Sequence, residues 1–334
     1  MLTLVPTPEQ QQIATAAREL MAAEWPVERL RDWGARDPGR WSTLVDLGVL
    51  GLGLSAEQGG LGLSCAEEAL VLREAGRFLL PPRLLATVLA VHVAAAADQP
   101  ELCSQLVAGE CVAGLLVARG AHRLGARLSG DFQQLDAAGA DLLLAWNREG
   151  AALVRRQDLP AGTDVQCVDD TLTLATCTLQ DVPALAWLPG PSTGLRADVL
   201  LSALLVGMAE AARDMAAEYA KLRQAFGHPI GSFQAVKHRC ADMAVAAEAA
   251  WCQTLAAALG LRDGSPEAAV DAAAARWLAQ DAARRSAEGN VQVHGGIGFS
   301  AEALPHRFVK RAAVAATWGA VGRRLAEDLL ARSV

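Results

Sequence analysis

Arg223-Gln224-Ala225-Phe226-Gly227-His228-Pro229-Ile230-Gly231-Ser232-Phe233-Gln234-Ala235 decides how this chain folds. Upstream lies an Ala-rich helical stretch of roughly 30 residues, opening near Leu195, that runs into Arg223 and stops at Gly227, where glycine can take the left-handed backbone that ends a helix. Pro229 bars its resumption, and Ser232 can cap a new helix. A second punctuated run follows about 60 residues on, Gln292-Val293-His294-Gly295-Gly296-Ile297-Gly298-Phe299, with the same order of helix and glycine break.

The composition fits long helices. The 334 residues are 52% hydrophobic but only 4% aromatic, so the core is left mainly to Ala, Leu and Val. Ala and Leu stand at the favourable end of the helix scale. A net charge of −7 with no Lys/Arg block argues against a nucleic-acid or polybasic membrane surface. The seven cysteines (65, 103, 111, 167, 177, 240 and 252) are odd in number and never in CxxC spacing. They read as reduced, buried small hydrophobes of a cytosolic protein. No basic, then apolar, N-terminal signal is visible. The most apolar stretch, Leu79 to Ala97, is broken by Pro81, Pro82, Arg83 and His92, which predicts a core helix and no membrane span.

Along the chain, Thr7-Pro8-Glu9-Gln10 predicts a helix start with a capping box. Helices are expected at about 27–33, 39–48, 65–77, 83–97 and 101–107, giving an N-terminal helical domain over 1–109. Gly51-x-Gly53-x-x-Ala56 fits a dinucleotide fingerprint literally, but no β-branched strand precedes it and no helix start follows. From 110 to 190 short apolar runs between Gly, Asp, Asn and Pro turns predict a small β domain, with strands at Val112–Val117, Asp141–Trp146, Ala151–Val154 and Leu172–Cys177. From 191 to 334 helices are expected at about 195–225, 232–261, 266–288 and 301–331, with Ser265-Pro266-Glu267 as a helix start.

On the two punctuated runs, the whole chain resembles the acyl-CoA dehydrogenase flavoproteins. The Gly48–Gly62 stretch also looks like a glycine-rich loop of that family's N-terminal domain. The resemblance implies a mainly α fold in the family's order: N-terminal helical domain, small middle β domain, C-terminal four-helix bundle. It implies FAD as cofactor, with Arg223 on the pyrophosphate of the neighbouring subunit's FAD and Phe226 against its adenosine. Gln234 and Gln292 would offer amides to the same ligand, and Gly295 and Gly296 would let a phosphate approach their backbone. A guanidinium can fork onto a diphosphate, the geometry arginine suits. His238 lacks partners at ligand spacing and His294 lies inside the second run, so no metal site is expected.

The reaction implied is α,β-desaturation of an acyl-CoA thioester, and it needs a carboxylate base. The two positions where the family keeps its glutamate fall on Gly319 and Ala197. Asp198 is the nearby substitute, but one residue turns a helix by about 100°, so it should point away from the usual target. The middle span also lacks the family's flavin-ring motifs. This combination resembles the short subunit of heteromeric α2β2 acyl-CoA dehydrogenases, in which a longer homologue supplies the ring pocket and base. Several such enzymes act on steroid side-chain acyl-CoAs, and the family passes electrons to electron-transferring flavoprotein or a similar acceptor. The alternatives are a self-sufficient homotetramer using Asp198 or another base, and a non-catalytic structural partner of a dehydrogenase.

Overall fold

The computed structural model describes residues 4–32 and 38–319. Five helices open the chain: α1 (Pro8–Glu24), α2 (Pro38–Asp46), α3 (Cys65–Arg77), α4 (Pro82–Ala96) and α5 (Pro100–Val107). Their starts follow from sequence. Thr7 and Gln10 close the expected capping box on α1, Ser64 and Glu67 close another on α3, and α4 and α5 begin on proline. The 27–33 stretch is a 3-10 turn, Val27–Asp32, whose last predicted residue lies outside the described residues. Nearly every residue of α4 is buried, which makes Leu79–Ala97 the core segment expected.

The glycine-rich loop before α3 holds two short 3-10 turns, Val49–Gly51 and Ala56–Gln58, and no strand leads into it. A Cβ on Gly53 would fall 2.4 Å from Oε1 of Glu68, so this glycine serves close packing. The fingerprint match is therefore coincidental.

The middle of the chain forms one seven-stranded sheet in the order β5-β6-β2-β1-β3-β4-β7. Its strands are β1 (Ala113–Arg123), β2 (Arg127–Leu135), β3 (Leu142–Trp146), β4 (Gly150–Arg155), β5 (Thr163–Asp164), β6 (Leu174–Pro183) and β7 (Ala186–Pro189). Only β1 and β3 run parallel; every other pairing is antiparallel. Three sequence expectations need correction. β2 was not expected, because Arg127, Ser129, Asp131 and Gln133 break its apolar pattern; one of its faces meets solvent. The strand placed at Leu172–Cys177 begins at Leu174, since Asp169 draws Thr171 into a turn through the Thr171 N–H and hydroxyl. β7 is too short and too close to Pro183 and Pro189 to read from pattern.

Two buried ion pairs fix this sheet to the helices. Arg83 on α4 reaches Asp136 after β2 (Nε to Oδ2, 2.8 Å). The second comes from α9 (Pro305–Ala315), where Arg311 bonds Asp169, the Thr171 hydroxyl (2.8 Å) and the carbonyls of Leu79 and Leu80. Arg311 thus joins all three regions of the chain from a position 1% exposed.

The C-terminal bundle packs α6 (Ser192–Leu222), α7 (Gln234–Arg262) and α8 (Ala268–His294) with α9. Four boundaries differ from expectation. α6 ends at Leu222, five residues before Gly227. α7 starts at Gln234 behind Phe233, and Ser232 lies in a 3-10 turn without capping it. α8 begins at Ala268, past Ser265-Pro266-Glu267, and runs to His294. The helix expected over 301–331 begins at Pro305 and ends at Ala315, and its part beyond 319 lies outside the described residues.

α6 meets α3 at very close range. A Cβ on Gly207 would lie 1.8 Å from the Arg73 carbonyl oxygen, and one on Gly76 would lie 1.9 Å from that of Leu204. Beside this contact Arg73 and Arg77 pair with buried Glu210, and Arg73 stacks over Trp251 at 4.3 Å. α7 has the length and hydropathy of a membrane span, yet half of its apolar window is buried inside the protein, as in a core helix. All seven cysteines are free; Cys65 and Cys103 are buried and the other five are partly exposed, contrary to the expectation that all are buried.

Candidate functional site

The C-terminus of α6, the N-terminus of α7 and the C-terminus of α8 meet at one end of the bundle. Ala216, Ala220, Met243 and Val293 pack together there, with Tyr219, Ile230, Val236 and Cys240 around them. All six residues expected at a dinucleotide site lie on these three ends, and all are exposed: Arg223, Phe226, Gln234, Gln292, Gly295 and Gly296.

Arg223 closes α6 in extended conformation (φ −72, ψ 126), its N–H donating to the Tyr219 carbonyl at 2.8 Å. Its carbonyl accepts from Ile230 N–H at 2.8 Å, which fixes the mouth of a small hairpin. In that hairpin β8 (Gln224–Ala225) pairs with β9 (His228–Pro229), and Phe226-Gly227 form the two-residue turn. Both turn residues have positive φ, 53° and 80°, as in a type I′ hairpin. Glycine takes this backbone freely, whereas phenylalanine is strained in it. Phe226 is nonetheless 92% exposed, touching Phe233 edge-on with ring centroids 6.2 Å apart. A strained aromatic held out into solvent is costly for a residue with no partner to meet.

Among the described residues the Arg223 guanidinium makes no ion pair. Lys237 and Arg239 are exposed in the first turns of α7, so this end of the bundle is locally cationic. The helix N-terminus adds partial positive charge. On α8, Gly295 takes a conformation reserved for glycine (φ 65, ψ −144), and nothing lies within 4 Å of a Cβ built on Gly295 or Gly296. Backbone conformation accounts for glycine at 295, no packing contact demands it at 296, and the open backbone of the pair has room for a ligand. An exposed cation, two exposed amides, an exposed ring and an open Gly-Gly backbone suit the ADP half of a flavin dinucleotide.

Sequence reasoning missed the element that joins these lips. Tyr219 stacks on His294, centroids 4.0 Å apart and planes 21° apart. His294 donates through Nδ1–H to the Asn290 carbonyl (3.0 Å), and burial holds its pKa below the usual imidazole value against the pull of that bond. One signal was present: Tyr219 is the chain's only tyrosine and stands one turn before Arg223. His238 is exposed, and no group of three metal-ligating side chains occurs among the described residues.

The two expected base positions carry no acid. Ala197 is wholly buried in α6. Gly319 sits at φ 73 with its would-be Cβ 3.0 Å from the indole nitrogen of Trp146, so even a short side chain there meets the end of β3. Asp198 faces the same region. Its Oδ1 is 4.0 Å from Nε of Arg276, and its side chain is 17% exposed. Burial raises its pKa to about 6, against the pull of Arg276 and Arg148. Arg276, fully buried on α8, is pushed down to about 10 by burial and caps α9 by donating to the Ala315 and Trp318 carbonyls (3.2 and 3.1 Å). Ala197 and Gly319 thus bring no carboxylate to the two expected base positions, and the residues at the bundle end suit the ADP side of the cofactor.

Comparison with known proteins agrees with the fold. Residues 7–100 match the family model for the acyl-CoA dehydrogenase N-terminal domain, and residues 197–324 match that for the C-terminal domain. Acyl-CoA dehydrogenase IpdE2 of Mycobacterium tuberculosis is 32% identical over 319 residues, covering 92% of each chain. The chain belongs to the acyl-CoA dehydrogenase family. Among solved structures, the ChsE4–ChsE5 complex of M. tuberculosis superposes with a TM-score of 0.83 at 26% identity, covering 99% of this chain and 98% of that one. A variant of the Tcur3481–Tcur3483 steroid ACAD gives 0.82 at 27% identity, covering 97% and 98%. Butyryl-CoA dehydrogenase of Megasphaera elsdenii gives 0.85 at 22% identity, covering 99% of each chain, which speaks for the fold alone. Members of this family are FAD-dependent oxidoreductases.

Proposed function

We propose that this chain is one subunit of a heteromeric, FAD-dependent acyl-CoA dehydrogenase. It contributes the ADP side of an intersubunit FAD site, and a longer homologue supplies the flavin-ring pocket and the base. The observation that carries this is the split within one chain. The bundle end keeps every expected ligand group exposed, while Ala197 and Gly319 stand where the acid would be. The ChsE4–ChsE5 complex and the Tcur3481–Tcur3483 steroid ACAD, both two-component assemblies by name, support the heteromer and a bulky substrate such as a steroid side-chain acyl-CoA. The assembly is cytoplasmic and passes electrons to electron-transferring flavoprotein or a similar acceptor.

When bound, FAD supplies the acceptor for the β-hydride of the thioester as a carboxylate takes the α-proton. This chain's residues bind and orient. Arg223 meets the diphosphate, Phe226 covers the adenosine, Gln234 and Gln292 donate or accept at the polar edges, and Gly295–Gly296 let phosphate oxygens reach backbone N–H groups.

A second reading has one observation in its favour. Asp198 is partly exposed, and its pKa is raised to about 6, as a proton acceptor's would be. In that reading the chain is self-sufficient. Arg223→Ala in the assembled enzyme tests the main reading. Loss of a charge-assisted contact of roughly 1.5–3 kcal/mol should weaken FAD binding at least tenfold. Unchanged FAD retention would mean that the bundle end holds no ligand and the chain is a structural partner.

A further inference from the structure

Resting on the dinucleotide reading above, we propose that Tyr219 is a positioning residue for the cofactor. Its stack on His294 sets the spacing between Arg223 and the Gly295–Gly296 backbone.

The two lips come from helix ends remote in sequence and need something rigid between them. Arg223 follows Tyr219 by one turn and is tied to it by its own N–H, which donates to the Tyr219 carbonyl at 2.8 Å. Gly295 follows His294 directly, and its N–H turns back onto Gln292 and Val291 to end α8. A ring contact at 4.0 Å between Tyr219 and His294 therefore lies one helical turn from Arg223 and one peptide bond from Gly295.

The His294 ring is itself fixed. Nδ1–H donates to the Asn290 carbonyl, and Asn290 is wholly buried, with its amide nitrogen 3.3 Å from the Met215 sulfur on α6. Near-parallel rings at this distance form a flat, stiff contact. Around it the end of the bundle is packed by a small cluster of four buried residues, Ala216, Ala220, Met243 and Val293. Without the stack, ligand binding would have to order two helix ends, and that ordering would be subtracted from affinity.

The tyrosine hydroxyl has no hydrogen-bond partner among the described residues, so the ring should suffice. Tyr219→Phe should then bind FAD as the parent does, and Tyr219→Leu about tenfold more weakly.

The test measures FAD dissociation by flavin fluorescence on the chain in the assembly in which it binds FAD. It uses Tyr219→Leu, Tyr219→Phe, Arg223→Ala and the Leu/Ala double variant, with the melting temperature of the FAD-free assembly as control. Weaker binding in Tyr219→Leu, rescue in Tyr219→Phe and an unchanged melting temperature would support the inference. So would a smaller effect of Tyr219→Leu once Arg223 is gone, since the tyrosine acts by placing that arginine. Unchanged affinity in Tyr219→Leu beside a weakened Arg223→Ala overturns the inference and leaves the dinucleotide site standing. If Arg223→Ala also binds normally, the site reading itself falls. Should Tyr219→Leu not assemble, His294→Phe, which keeps a stack, and His294→Ala, which removes it, ask the same question. Equal affinity in these two overturns the proposal.

Discussion

Asp198 and Arg276 face each other across α6 and α8 at 4.0 Å, too far for a hydrogen bond, and Nε and Nη1 of Arg276 have no hydrogen-bond partner among the described residues. Burial leaves both charges worse off than in water: the carboxyl is raised to about 6 and the guanidinium lowered to about 10. A carboxyl whose folded pKa is raised binds its proton more tightly when folded. Stability therefore falls as pH rises between the unfolded value near 3.8 and about 6, and the ionised form is carried at a cost above that window. Asp198→Asn should stabilise the protein at pH 7.5 by up to about 3 kcal/mol, with the gain vanishing near pH 4. Urea unfolding at the two pH values checks this. If Asp198 is instead a base, the same variant abolishes turnover.

Gly207 and Gly76 let α6 and α3 touch through their backbones. Gly207→Ala puts a methyl carbon 1.8 Å from the Arg73 carbonyl oxygen, so the helices must part and the Arg73–Glu210 pair must stretch. The expected loss is about 2–4 kcal/mol, well beyond the gain in helix propensity of about 1 kcal/mol. Thermal unfolding measures it. An unchanged melting temperature would show that the two regions of the chain are not packed this tightly.

Arg311 satisfies two backbone carbonyls, a hydroxyl and a carboxylate from a fully buried position. Arg311→Met keeps most of the volume but orphans Asp169, and removing one partner of a buried pair costs about 3–5 kcal/mol. Replacing both, Arg311→Met with Asp169→Leu, should recover part of that loss. A double variant no better than the single would show that the carbonyl bonds to Leu79 and Leu80 dominate.

Phe226 should behave in opposite ways in two assays. Phe226→Gly relieves a left-handed backbone worth about 1 kcal/mol, so the melting temperature should hold or rise slightly. Flavin affinity should fall severalfold, because the exposed ring is gone. A marked drop in melting temperature would make Phe226 a packing residue through its contact with Phe233.

The helices were legible because Ala/Leu periodicity and capping boxes such as Thr7–Gln10 act locally. So was the presence of a β region, though β2 was not, since its solvent face interrupts the apolar pattern that marks a strand. The six residues named from the sequence all fall at the bundle end, whose shape was misread. The hairpin at Gln224–Pro229 depends on phenylalanine accepting a glycine-like backbone, which no propensity predicts. The Tyr219–His294 stack exists only once α6 and α8 are docked. The environment of Asp198 was hidden for the same reason: helical phase gives a direction, whereas Arg276 and Arg148 arrive from other elements.

The most direct measurement is the visible spectrum and native mass of the chain purified alone and again with a longer homologue co-expressed from a neighbouring gene. The shared-site account predicts a colourless chain alone and a yellow heterotetramer with one FAD for each pair of subunits. A yellow homotetramer with one FAD in every chain would contradict it, and Asp198 would become the first residue to test as the base.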